Sequence, residues 1–136
     1  MATDQKFIGK EYKPITYIVG QEKIKEYALA IGDKNPLYHG GNIAPPMFVV
    51  VFAKEVMDNL FCDKELNLNM KRLVHGEQEF NFHKMVKAND TIKTTGKIRN
   101  IYTKNNNDFI ELETNSHNQN NELVVDGIWT FIIRGS

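Results

Sequence analysis

Met47-Phe48-Val49-Val50-Val51-Phe52-Ala53 is apolar on every side, and the run continues through Val56, Met57 and Leu60. A helix that is hydrophobic all round belongs inside a protein rather than on its surface. The β-branched valines would also allow a strand, but the length of the run and its later spacing favour a helix. Pro46 suits the first turn, where its missing N–H is harmless. One buried helix therefore sits mid-chain, and the remaining residues must supply what surrounds it.

Those residues read as strands downstream and as a strand and helix upstream. Val74, Gly76, Gln78, Phe80 and Phe82 alternate with His75, Glu77, Glu79, Asn81 and His83, which is period two. Lys87-Ala88-Asn89-Asp90 is a turn, 91–102 a second strand, and Asn105-Asn106-Asn107-Asp108 a hairpin turn before a third strand over 109–116. A turn over 118–121 leads to a last strand over 123–134, with Leu123, Val125, Gly127, Trp129, Phe131 and Ile133 on one face. Upstream, 15–19 reads as a short strand. In 21–31, Ile24, Tyr27, Ala28 and Ile31 share one helical face, and Gly32 is a natural stop. Successive antiparallel strands joined by short turns around one buried helix make an α+β meander.

The bulk numbers set the outer bounds. A chain of 136 residues reads as a single domain, 1–136, able to bury a core without staples. Seventeen basic and seventeen acidic side chains cancel, so there is no electrostatic footprint for nucleic acid or an anionic membrane surface. Cys62 is the one cysteine, which excludes an internal disulfide and a cluster of thiolate metal ligands. The beginning of the chain has no apolar signal core and no stretch reaches transmembrane length, so the expectation is a cytoplasmic protein.

The chemistry concentrates in Ala30-Ile31-Gly32-Asp33-Lys34-Asn35-Pro36-Leu37-Tyr38-His39. It ends a helix and then places a carboxylate and an imidazole on one Pro-stiffened turn, where Asp33 and His39 could share a water molecule for acid–base work. The same string is also ordinary turn composition after a helix. Asn35 reads as a residue that orients the loop by bonding its backbone. His75 and His83 fall on the polar face of their strand, as solvated or cross-strand-paired histidines rather than metal ligands. Gly76 inside that strand marks a bulge or a close backbone approach. No metal-ligand spacing, glycine-rich phosphate loop or serine nucleophile elbow is present.

Taken together, Gly32-Asp33-Lys34-Asn35-Pro36-Leu37-Tyr38-His39, Val74-His75-Gly76-Glu77-Gln78-Glu79-Phe80 and Lys87-Ala88-Asn89-Asp90 resemble the MaoC-like dehydratases, which have the hotdog fold. Ala44-Pro45-Pro46-Met47-Phe48 is similar to the segment that introduces the long central helix in the FAS1-type N-terminal dehydratase branch. The resemblance implies an antiparallel sheet wrapped around a long central helix. It also implies an (R)-specific enoyl-thioester hydratase or 3-hydroxyacyl-thioester dehydratase, working on CoA or acyl-carrier-protein substrates without metal or redox cofactor. Asp33 and His39 would manage the water, with Asn35, Tyr38, Pro46, Met47 and Gly76 binding substrate or orienting the loops. Two such units pair by their sheet edges, so a homodimer or a heterodimer with another hotdog subunit follows.

Two departures from the family pattern favour an alternative. Active relatives carry His directly after Asn-Pro-Leu, whereas Tyr38 stands there and His39 follows. They carry Gly at the place of Pro46, and that Gly donates an N–H to the thioester oxyanion; proline has none. Losing one such donor costs about 3–4 kcal/mol in other enzymes. The alternative is a non-catalytic, substrate-binding subunit of a heteromeric dehydratase. A hotdog thioesterase is a further alternative, against which the Asp-x-Asn-Pro string argues.

Overall fold

The computed structural model describes residues 3–135. Among them, strands β1 (Glu11–Ile18), β2 (Leu73–Phe82), β3 (Thr91–Lys104), β4 (Asn107–His117) and β5 (Leu123–Ile133) form one antiparallel sheet. Helices α1 (Gln21–Ala30), α2 (Pro36–His39), α3 (Val49–Phe52) and α4 (Lys54–Phe61) all lie between β1 and β2 in the chain. No helix among the described residues is long and apolar enough to cross a membrane.

Strands β3, β4 and β5 are the expected meander. The β3–β4 loop is Asn105-Asn106, with both residues at positive φ (52° and 64°), as a two-residue hairpin turn matched to strand twist requires. The β4–β5 connection is closed by Asn118, whose Oδ1 accepts from the Asn120 and Glu122 amides at 3.0 and 3.1 Å. Strand β2 departs from the expectation of successive pairing. It does not pair with β3, which is flanked by β1 and β4, but takes the free edge of β5, giving the order β1-β3-β4-β5-β2. The other edge, β1, tolerates Pro14 because its register slips there, between Tyr12 and Ile15.

The buried helix is present but segmented. A 3-10 turn over Pro46–Phe48 leads into α3, and Ala53 separates α3 from α4. Through these segments Phe48, Phe52, Val56 and Leu60 recur every four residues and are at most 2% exposed. They join Ile98, Ile110, Leu112, Trp129 and Phe131 of the sheet in one core. Burying each such side chain contributes roughly 1.5–3 kcal/mol. The helix passes so close over β3 that only glycine fits at position 96, where an added Cβ would run into Val56 Cγ1.

The connector after α4 is tied back to β1. Asp63 accepts from the Tyr12 hydroxyl and pairs with the Lys10 ammonium, each at 2.7 Å. Burial pushes this carboxyl upward, but the hydrogen bonds from Lys10, Tyr12 and the Glu65 amide overcome that and hold it below the usual carboxylate range.

Candidate active site

The loop after α1 is built by three successive caps. Gly32 adopts φ +69°, its amide bonds Leu29 O at 3.1 Å, and the Asp33 amide bonds Ala28 O at 3.1 Å. This is a Schellman C-cap, for which glycine is the residue of choice. Asp33 Oδ1 then accepts from the Asn35 amide at 2.8 Å, and Asn35 Oδ1 accepts from the Leu37 amide at 3.0 Å, so Asn35 is the N-cap of α2. Pro36 occupies the first helical position. Gly32, Asp33, Asn35 and Pro36 thus each have a local backbone task.

Four-residue α2 decides where the ring side chains point. Consecutive helical residues diverge by about 100°, so Tyr38 and His39 face different ways. His39 Nε2 hydrogen-bonds back to the Asp33 backbone carbonyl, and its ring is exposed. Tyr38 is half-buried and lines a cavity of about 330 Å³. Asp33 and His39 are thus brought together, but through the Asp33 carbonyl rather than its carboxylate, and neither lines the cavity.

Gly41, at φ +73°, carries the chain onward over α1, where an added Cβ would meet Gln21 O at 2.7 Å. The next residues are stitched to the 83–90 turn: the Ala44 amide bonds Val86 O and the Ala88 amide bonds Asn42 O, both at 2.9 Å. That seam frames the cavity. Its walls are Ile43 to Pro46 on one side and Phe82 to Val86 on the other, with Phe48, Val49 and Phe52 from the helical segments and Val124 and Val125 from β5. The lining is almost wholly apolar; Tyr38, His83 and Lys84 bring the polar atoms of its side chains.

His83 belongs to a cluster that the sequence pattern left as a paired surface histidine. Register places Asn81 opposite Asp126. Asp126 accepts from Asn81 Nδ2 at 2.9 Å and from His83 Nε2 at 2.6 Å. The Asn81 hydrogen bond is the main cause that holds the Asp126 carboxyl below its ordinary range; burial opposes it and His83 adds to it. Lys84 is paired with Glu122. Asp126 stands beside His83 only because β2 pairs with β5, a contact between residues far apart in the sequence.

Other expected site residues lie elsewhere. Pro46 lines the cavity, but Met47 is 45% exposed and does not. Asn35 is exposed and occupied with its cap. Gly76 sits at a register slip between His75 and Glu77 and under the Ile132 side chain, so it is the expected bulge but not a cavity residue. That slip also corrects the placement of His75. The residue stays exposed and is cross-strand paired with Phe131, but on the aromatic face: its ring packs on Trp129 and Phe131, with centroids 5.9 and 5.1 Å apart, and donates to Gln78 Oε1 at 2.9 Å. One extra residue in a strand reverses the side to which all preceding side chains point.

Comparison with known proteins agrees with this architecture. The family model for the FAS1-like dehydratase domain region matches residues 6–127. A UPF0336 protein of Streptomyces griseus is 34% identical, with 100% of this chain and 98% of the relative covered. Among solved structures, the C-terminally truncated HadBC (3R-hydroxyacyl-ACP dehydratase) complex of Mycobacterium tuberculosis superposes with a TM-score of 0.83 at 25% identity, covering 97% of this chain and 99% of that one. A MaoC-like dehydratase matches with a TM-score of 0.84 at 21% identity, covering 96% of this chain and 43% of that longer one, a likeness of fold. With the family model spanning most of its length, the chain belongs to the FAS1-like dehydratases and has the hotdog fold of the MaoC-like group.

Proposed function

We propose that this chain is the acyl-binding subunit of an (R)-specific 3-hydroxyacyl-thioester dehydratase, or of the reverse hydratase, and works beside a second hotdog chain that brings the acid–base pair. The observation that carries this reading is the division at α2: Tyr38 lines the apolar cavity, while His39 is turned back onto the Asp33 carbonyl. Removing the C2 proton builds charge on the thioester oxygen, and expelling the C3 hydroxyl needs a proton donor. Pro46, at the head of the helical segments, has no N–H to offer that oxygen. The Phe48 amide is bonded to Pro45 O at 3.0 Å, so the donor would be the Met47 amide, an orphan of the first turn. The cavity walls suit an acyl chain, and the exposed Val74 and Phe82 on edge strand β2 suit a partner chain. The HadBC neighbour, named as a complex, is a precedent for two-chain assembly.

The test is hydration of a panel of trans-2-enoyl-CoA thioesters by the purified chain, followed by loss of the conjugated absorbance, with Asp33→Asn alongside. The expected result is binding without turnover. Turnover that vanishes in Asp33→Asn would refute the partner-dependent reading. It would establish instead a self-sufficient hydratase, the reading favoured by the Asp33–His39 contact on one turn.

A further inference from the structure

We propose that the cavity recognises the 3-hydroxyl of its acyl ligand through His83, positioned by Asp126, together with Tyr38; this rests on the acyl-binding reading above. Three side chains bring polar atoms to the lining, and the Lys84 ammonium is drawn toward Glu122 at the exposed side. His83 and Tyr38 have capacity left. His83 commits Nε2 to Asp126 at 2.6 Å, which leaves Nδ1 as its hydrogen-bonding atom for a ligand. In the neutral imidazole, a carboxylate at Nε2 selects the tautomer in which Nε2 carries the proton and Nδ1 accepts. The Tyr38 hydroxyl makes no hydrogen bond among the described residues and can donate.

An acceptor and a donor on one apolar cavity are complementary to a single alcohol on an aliphatic chain. The alcohol donates to His83 Nδ1 and accepts from Tyr38. A saturated or enoyl chain fills the same walls but offers neither hydrogen bond, and because the His83 side chain is 44% exposed the discrimination is modest rather than that of a fully buried hydroxyl site. Asn81 completes the arrangement by donating to the same Asp126 carboxylate at 2.9 Å, which fixes it against rotation. Asp126 and Asn81 are positioning residues here, since neither lines the cavity.

The experiment is calorimetric binding of (R)-3-hydroxyoctanoyl-CoA and octanoyl-CoA to the full chain, with the ratio of the two affinities as the readout. A general loss of fold lowers both affinities, so only the ratio reports on the hydroxyl. The wild type should prefer the hydroxylated chain by about tenfold. His83→Leu and Tyr38→Phe should each bring the ratio toward one, and Asp126→Asn should lower it with the imidazole still present. A wild-type ratio near one, or a ratio unmoved by His83→Leu, overturns the inference while leaving acyl binding intact. Binding of neither ligand overturns both.

Discussion

Gly96→Ala and Val56→Ala, made singly and together, test whether the close approach of α4 to β3 is what demands glycine at position 96. A Cβ there would run into Val56 Cγ1, while Leu112 Cδ1 stands at an ordinary 3.7 Å. Val56 is fully buried and β-branched on a helix, so its χ1 has little freedom to swing away. Overpacking of this kind costs about 1–3 kcal/mol. Alanine recovers roughly 0.5–1 kcal/mol over glycine in a strand interior, which leaves Gly96→Ala about 1–2 kcal/mol destabilising. Val56→Ala deletes two buried carbons at about 0.8 kcal/mol each and leaves a void, for about 2–3 kcal/mol in all. In the double variant the new methyl at 96 enters the space vacated at 56. Its cost should be about 1–2 kcal/mol, well short of the roughly 4 kcal/mol that additivity would give. Urea unfolding followed by the fluorescence of the single buried Trp129 measures all three. Additive losses, or a neutral Gly96→Ala, would refute the close-approach argument.

The acid side of the stability profile should depend on Asp63. Its folded carboxyl titrates below the unfolded value of about 3.9, so its contribution is complete above about pH 5 and is lost as pH falls through the folded value. The stability gap between wild type and Asp63→Asn should therefore narrow on going from pH 5 toward pH 2, and a constant gap would be the contrary result. Asn35→Ala removes the cap on the Leu37 amide and should cost about 1 kcal/mol locally. Hydrogen exchange should quicken over 36–41 with the global unfolding midpoint unmoved; a fall in the global midpoint would mean the cap supports more than α2.

Much of this fold is legible because polar turns punctuate alternating strands. Asn105, Asn106 and Asn121 all adopt positive φ, a conformation that asparagine tolerates better than most residues, and each sits where the sequence pattern puts a turn. The position of β2 is not legible in the same way. Nothing in residues 73–82 distinguishes an edge on β5 from an edge on β3; the choice follows from β3 being occupied on both sides. Bulges are the second obstacle. In β3 the buried positions are Ile92, Thr94, Gly96 and Ile98 and then Ile101, because the register slips between Ile98 and Asn100. The slip at Gly76 likewise hid the aromatic stacking of His75 behind an apparently polar alternation.

The candidate site divides along the same line between local and non-local information. The Gly32–Asp33–Asn35–Pro36 string is a set of caps, each between residues at most five apart, and local chemistry of that kind can be read from a sequence. Turn composition in 33–39 does not by itself say whether Tyr38 or His39 turns inward. Once Asn35 and Pro36 start a helical turn, the two rings must diverge by about 100°, and the seam between 42–44 and 86–88 puts the cavity on the Tyr38 side. His83 required still more, since its partner Asp126 is 43 residues away and adjacent only through strand pairing. The polar lining of the cavity therefore comes from two separate segments, α2 and 83–84, with Asp126 of a third standing behind His83. The Asp33–His39 turn, though closer in sequence to every expectation of acid–base chemistry, presents its imidazole to the outside. On the acyl-binding reading proposed above, that outward imidazole leaves the acid–base pair to a second hotdog chain, so adding such a chain, rather than altering this turn, is what should bring turnover.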